Sequence, residues 1–310
     1  MSTKKSLRLI WAGMPIPLLL LSVLLGSDPA PAHDTPTRTS APAADILKAP
    51  ELTVLTLNLA HGRKDSLNQT YLSSTRIKDN LREIAAVLSQ TNADVIALQE
   101  ADGPSRWSGG FDHVATIAAD AQYPVSAHSI HATSWLFSFG TALLSRTILK
   151  EVQHHSFSPS PPTLNKGFTF GLIKWQPDGH STPVVVDLAS VHLDFSRNSV
   201  RAQQISEISS VLNARGNPRI IMGDFNSDWF NRKSVLRALA EKQRLHVYRP
   251  HAQNMATYKS MSRLDWILIS EELVFTSYRV LPQVLSDHSA VLASVRLRPS
   301  YNQGVTQELP

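Results

Sequence analysis

From Leu52 onward the chain alternates short Val-, Ile- and Leu-rich runs with amphipathic stretches, and that alternation admits few folds. Residues 53–57, 94–98, 142–144, 184–193, 219–222, 264–269 and 290–297 have the length and β-branched content of buried strands. Between them, Ile77, Leu81, Ile84 and Leu88 recur at helical spacing. Val200, Ile205, Ile208 and Leu212 do the same, and Val235, Leu236 and Leu239 form a shorter face. Each of these helices keeps a charged side for water. The expected domain is α/β. No internal repeat and no breaker-rich linker divides residues 50–298, so one domain is expected there, followed by a loose tail over 299–310. Residues 102–140 are less regular and hold Trp107, Phe111, His113, His128, His131, Trp135, Phe137 and Phe139 among Gly and Ser. They read either as core beneath long loops or as a substrate-contact surface.

The first 32 residues have a separate logic. Lys4, Lys5 and Arg8 precede an apolar run from Leu9 to Gly26, and Ala30-Pro31-Ala32 has the small-residue pattern of a cleavage site. A signal peptide over 1–32 and an exported protein, periplasmic or secreted, are expected. An uncleaved membrane anchor is the competing reading, weakened by Pro15 and Pro17 in the apolar run. Residues 33–49, rich in Pro, Ala, Thr and Ser, read as a linker. Removing residues 1–32 takes away Lys4, Lys5, Arg8 and Asp28 and lowers the formal charge from +5 to +3. No run of Lys or Arg exceeds two, so this is no basic stripe of a dedicated nucleic-acid binder, although acidic substrates are permitted. The absence of cysteine excludes disulfide scaffolds, thiolate metal sites and thiol nucleophiles. A monomer is expected.

Chemistry enters where the apolar runs stop. "LTVLTLNLAHG" runs out at Asn58, "ADVIALQEAD" at Glu100, "VVVDLASVHLDF" at His192 and Asp194, and "RIIMGDFNSD" at Asp224 and Asn226, with Gly223 supplying a sharp turn. "RLDWILIS" sets Asp265 at a strand entrance, and "LSDHSAVLASV" sets Asp287 and His288 before another. A buried carboxylate is costly without a partner, so repeated placement at apolar strand ends points to one shared site. Each residue also has a plain structural reading: Asn58 capping a turn, Glu100 opening a solvated loop, Asp265 pairing with Arg263, His192 a satisfied core histidine. Asp, Glu, Asn and His without Cys are hard ligands suited to Mg²⁺ or Mn²⁺ holding a phosphate. Phosphoester hydrolysis needs such a cation to neutralise charge on phosphorus oxygens.

"TLNLA", "ALQE", "VHLDF", "GDFNSD", "RLDWILIS" and "SDHSAV", in this order over residues 52–297, resemble the endonuclease/exonuclease/phosphatase superfamily, the group that contains DNase I and the sphingomyelinases. The resemblance implies a four-layer α/β sandwich: two mixed β-sheets packed face to face, helices outside, the site at one sheet edge. It also implies roles. Glu100 would be the principal metal ligand, with Asn58 beside it and Asp287 completing the shell. Asp224 would orient or deprotonate the attacking water, Asn226 would hold a phosphate oxygen, and His192 would donate to the phosphate or assist the leaving group. His288, fixed by Asp265, would act as base or oxyanion stabiliser. Arg201, Gln204 and Gly140 would be structural. The implied activity is Mg²⁺-dependent phosphodiester hydrolysis (Mn²⁺ an alternative). The substrate would be nucleic acid or a phospholipid or sphingolipid diester, the latter with membrane-surface contact. A catalytically silent binding module is the reading from a different class. Two departures narrow the range. "VHLDF" lacks the Pro-Asn turn of the abasic-site repair enzymes, and Ser227-Asp228 replace the Tyr-Arg of the inositol polyphosphate 5-phosphatases. Discrimination between substrates is expected from residues 102–139, with Trp107 and Trp135 as contacts.

Overall fold

The computed structural model describes residues 28–29 and 37–299, apart from residue 214. The expected signal or anchor segment, save residues 28–29, and the tail beyond residue 299 lie outside the described residues. In chain order the elements are β1 (Asp28–Pro29), β2 (Arg38–Thr39), β3 (Ile46–Lys48), β4 (Leu52–Asn58), α1 (Ser74–Gln90), β5 (Val95–Asp102), α2 (His113–Asp120), β6 (Val125–Thr133), β7 (Ser138–Ser145) and β8 (Lys150–Ser156). There follow β9 (Gly167–Gln176), β10 (Val184–His192), α3 (Asn198–Asn213), β11 (Arg219–Asp224), α4 (Val235–Gln243), β12 (Leu245–Val247), β13 (Asp265–Ser270), β14 (Leu273–Val280) and β15 (Val291–Leu297).

The strands form two mixed sheets. One has the order β1-β6-β7-β5-β4-β15-β14, with β2 also on β6; the other has the order β12-β13-β11-β10-β9-β3, with β8 also on β9. Most neighbours are antiparallel, while β4 with β5, β10 with β11 and β3 with β9 are parallel. Side chains alternate between the two faces of each strand, so a strand covered on both sides must be apolar throughout. In β11, Ile220 and Met222 enter the core between the sheets, where they join Val54, Ala97 and Leu143 of the other sheet. Ile221 points the opposite way, into a core with α3 and α4. On the far side, Leu55 and Ile96 pack against Ile77, Leu81, Ile84 and Leu88 of α1 and against α2. The result is the expected four-layer sandwich: helix, sheet, sheet, helix. Each fully buried Leu or Ile contributes about 1.5–3 kcal/mol relative to exposure. Helix α1 starts cleanly because the Ser73 side chain accepts from Arg76 N–H.

The fold departs from the sequence reading in two places. Residues 33–49 do not run free as a linker in their described part: β2 pairs with β6, β3 pairs with β9, and Leu47 packs on the central core. Residues 102–140, read as irregular, contain α2, β6 and the start of β7. Among the described residues no helix is long and apolar enough to cross a membrane.

Candidate active site

Three strand ends of one sheet lie side by side. His192 on β10, Asp224 on β11 and Asp265 on β13 are register partners in a single row. Close approach of β10 and β11 there depends on Gly223, whose φ of +149° and missing Cβ make room for the Val191 carbonyl oxygen. The other sheet presents Asn58 at the end of β4, paired with Gln99 of β5. A register shift between Leu98 and Ala101 then turns Glu100 out of the ladder at φ +46°. The sheets meet where Asn58 Nδ2 donates to Asp224 Oδ2 at 3.0 Å.

His288 closes the row. Its Nδ1 lies 2.8 Å from Asp265 Oδ2 and its Nε2 3.9 Å from Asp224 Oδ2. Burial disfavours its charged form, but the Asp265 and Asp224 carboxylates outweigh that and hold the imidazole up to about 10, so it is an imidazolium at neutral pH. Burial pushes the Asp224 carboxyl up to about 7, against the pull of His288 and the donors Asn226 N–H and Asn58. His192 goes the other way. Burial first, then the adjacent Lys166 ammonium, holds it well below 6.5 and therefore neutral. Lys166 Nζ lies 3.4 Å from His192 Nδ1, which accepts from it, so the ring proton sits on Nε2. That atom is 3.6 Å from Asp224 Oδ2 and 3.8 Å from Glu100 Oε1.

Glu100 is ringed by basic side chains. His61 Nε2 stands 3.3 Å from Oε2 and Lys166 Nζ 3.9 Å from Oε1. Burial raises its pKa, yet His61, Lys166 and Arg63 hold the carboxylate ionised far below its usual range. His61 was not singled out in the sequence. It follows Asn58 in "NLAHG", takes a left-handed φ of +56°, and sets Nδ1 2.7 Å from Asp102 Oδ1. Burial opposes its protonation, but Asp102 and Glu100 raise its pKa. Asp102 Oδ2 accepts from Trp107 Nε1 at 2.8 Å and from Ser108 Oγ. Lys166 also escaped notice, because it precedes β9, a strand the apolar pattern did not reveal. A histidine three residues beyond the strand-end Asn58 was the one available signal for His61.

The remaining expected residues take specific positions. Asp287 Oδ2 accepts from Arg63 Nη2 at 2.7 Å, so its carboxylate is engaged by a guanidinium. Asn226, at φ +46°, donates one amide hydrogen to Leu193 O at 3.0 Å and its backbone N–H to Asp224 Oδ1 at 2.9 Å. Asp194 is a turn former, accepting from Ser196 N–H and Arg197 N–H. Gln204 accepts from Asp194 N–H, and Arg201 donates to Asp194 O. The loop residue Trp107, expected at the substrate, is buried against Phe137 and Phe139 and braces Asp102. Trp135 is the exposed aromatic residue of that segment.

The donor chemistry fits a hard divalent cation. Glu100 is ionised, its nearest basic contact is His61 Nε2 at 3.3 Å, and Asn58 supplies an amide oxygen that already accepts from Ala60 N–H. A second grouping is Asp224, Asp265 and His288, with ligand atoms within 4.8 Å of one another, and Asp265 Oδ1 is buried there without a hydrogen-bond partner.

The profile of the Endonuclease/Exonuclease/phosphatase family matches residues 55–288. The chain belongs to this family. Endonuclease/exonuclease/phosphatase members are hydrolases that act on phosphoesters. No curated protein sequence matches the chain. Among solved structures it is similar to an endonuclease/exonuclease/phosphatase family protein from Leptotrichia buccalis C-1013-b. That likeness has a TM-score of 0.62 and 17% identity, covering 79% of this chain and 100% of that one. It is also similar to a mannosyl-6-phosphatase from Bacteroides thetaiotaomicron VPI-5482, with TM-score 0.57, 16% identity, and 79% and 99% of the two chains. The likeness to sphingomyelinase C from Streptomyces griseocarneus has TM-score 0.54, 18% identity, and 79% and 99% coverage. At these identities the shared property is the fold.

Proposed function

We propose that this chain is an exported, Mg²⁺-dependent phosphodiester hydrolase, acting as a monomer, in which water attacks phosphorus directly and no covalent enzyme intermediate forms. The observation that carries the reading is the single row His192, Asp224, Asp265 and His288, joined across the seam to Asn58 and Glu100. Glu100 and Asn58 would hold the metal, and Mg²⁺, or Mn²⁺ in its place, would supply charge neutralisation on a phosphoryl oxygen. Asp224, with its carboxyl near neutrality, accepts the proton of the attacking water. His288, kept cationic by Asp265, donates Nε2–H to the phosphoryl oxygen on which charge grows. Neutral His192, its tautomer set by Lys166, donates its own Nε2–H to the phosphate. The substrate is nucleic acid or a lipid phosphodiester.

Turnover of bis-p-nitrophenyl phosphate, DNA, RNA, sphingomyelin and phosphatidylcholine, measured with chelator and after adding back Mg²⁺ or Mn²⁺, tests the proposal. Activity should vanish on chelation and return with either cation. Turnover that persists at full rate in chelator would overturn the metal-dependent reading.

A further inference from the structure

Among the described residues seven large apolar side chains stand substantially in solvent: Leu67, Tyr71, Trp135, Phe195, Phe230, Met261 and Val284, between 41% and 84% exposed. Their places in the topology are not scattered. Leu67 and Tyr71 lie in the loop that leaves β4 after Asn58, and Phe195 and Phe230 lie in the loops that leave β10 after His192 and β11 after Asp224. Met261 precedes β13, four residues before Asp265. Val284 joins β14 to β15, and Val291 at the start of β15 pairs with Thr56 near the end of β4. Trp135 tips the β6–β7 turn, and Phe139 beside it pairs with Asp102 at the end of β5. All seven therefore sit at the end of the sandwich that carries the active site. The loops of the opposite end, residues 91–94, 121–124, 146–149, 177–183 and 215–218, expose none, and neither do the outer faces of the helices.

We infer that this rim of apolar tips seats the enzyme on an anionic lipid surface, so that the phosphodiester it hydrolyses is a lipid headgroup presented at the mouth of the site. Surface apolar residues scattered singly need no explanation; confinement to one end does. The tips belong to six separate loops, an arrangement a continuous hydrocarbon boundary accepts and a shape-matched protein partner does not require. Leu67, Met261 and Val284 are aliphatic and offer no ring for a base to stack on, which disfavours single-stranded nucleic acid as the occupant. The charge agrees. Arg232, Lys233, Arg249 and Lys259 are exposed on the same set of loops, against Asp65 as their exposed acid. The assignment of a lipid substrate rests on the phosphodiesterase reading of the site; the docking itself does not.

Brominated phosphatidylcholine vesicles, with and without phosphatidylglycerol, test this on the full chain. Trp135 is the reporter, and the difference in tryptophan quenching between the parent and Trp135→Phe isolates it from the other tryptophans, including Trp11. Expected is quenching specific to Trp135, stronger with phosphatidylglycerol and weakened by salt. A Trp135→Ser/Phe230→Ser double variant should lose on the order of tenfold in hydrolysis of vesicle lipid while bis-p-nitrophenyl phosphate turnover stays within about twofold. Equal quenching in the parent and Trp135→Phe overturns the docking, as does a Trp135 response to a single-stranded oligonucleotide but not to vesicles. Vesicle docking with no turnover of any phosphodiester supports the docking and overturns the phosphodiesterase reading.

Discussion

The site has two histidine–carboxylate pairs, their carboxylates at strand ends of different sheets, and they are built to opposite specifications. His288 with Asp265 and His61 with Asp102 share nearly the same short contact, 2.8 and 2.7 Å, and each imidazole turns its second nitrogen to another carboxylate, Asp224 or Glu100. The difference is in what surrounds the supporting carboxylate. Asp102 has its second oxygen filled by Trp107 and Ser108, and the His61 ring is wedged edge-on between Trp107 and Phe139 at 4.9 Å from each. Asp265 leaves Oδ1 unpartnered in a buried place. A saturated carboxylate fixes geometry, whereas one with a spare lone pair keeps a strong local field for the imidazolium that faces the reacting group. The comparison makes His288 a catalytic residue in the proposed reaction and His61 a positioning residue for Glu100.

Breaking the open pair should cost most. His288→Asn and Asp265→Asn should each lower kcat by roughly 10²–10⁴-fold, and the double variant should lose much less than the product of the two. Strict additivity in the kinetic cycle would separate the two residues. The closed pair should matter less to turnover and more to the cation. His61→Gln and Asp102→Asn should weaken Mn²⁺ binding by roughly 10–100-fold, read by calorimetry, with a smaller change in kcat at saturating metal. Unchanged Mn²⁺ affinity would remove His61 from its positioning role.

Folding stability should also register the loss of either supporting carboxylate. Asp102→Ala strands the buried Trp107 N–H and the His61 ring and should cost about 1–3 kcal/mol in denaturant unfolding. Asp265→Ala leaves the buried His288 imidazolium without its partner and should cost a comparable amount. The same pair makes stability depend on pH. His288 has its pKa raised from 6.5 to about 10, so its stabilisation is complete below pH 6.5 and is lost as pH rises through 10. The melting temperature of the parent should fall across that window, and His288→Asn should flatten the decline.

Much of this was legible in the chain because central strands buried on both faces are mostly apolar, as β4, β10, β11 and β13 are. Where the apolar run stops, a polar residue with carboxylate, amide or imidazole chemistry marks the strand end, which locates Asn58, His192, Asp224 and Asp265. Strands with mixed composition gave no such signal. β6 reads "VSAHSIHAT", with His131 held by Thr141 and Ser156, and β8 reads "KEVQHHS" with much of it only part-buried. With β6 hidden, residues 102–140 looked like open loop, and Trp107 passed for a contact residue when it is a strut. His61 was hidden for another reason. Its role depends on Asp102, 41 residues away, and on a left-handed backbone that no side-chain pattern announces.

Gly223 has a consequence for anyone mapping this protein by saturation mutagenesis. A methyl group at that position would overlap the Val191 carbonyl and push β10 from β11 where His192 and Asp224 emerge. Every replacement there should abolish function as completely as loss of Asp224, in protein that still accumulates with its helices intact. A fitness map would therefore score as catalytic a residue with no side chain. The tolerance pattern of the enzyme records which backbones must touch as faithfully as which groups react.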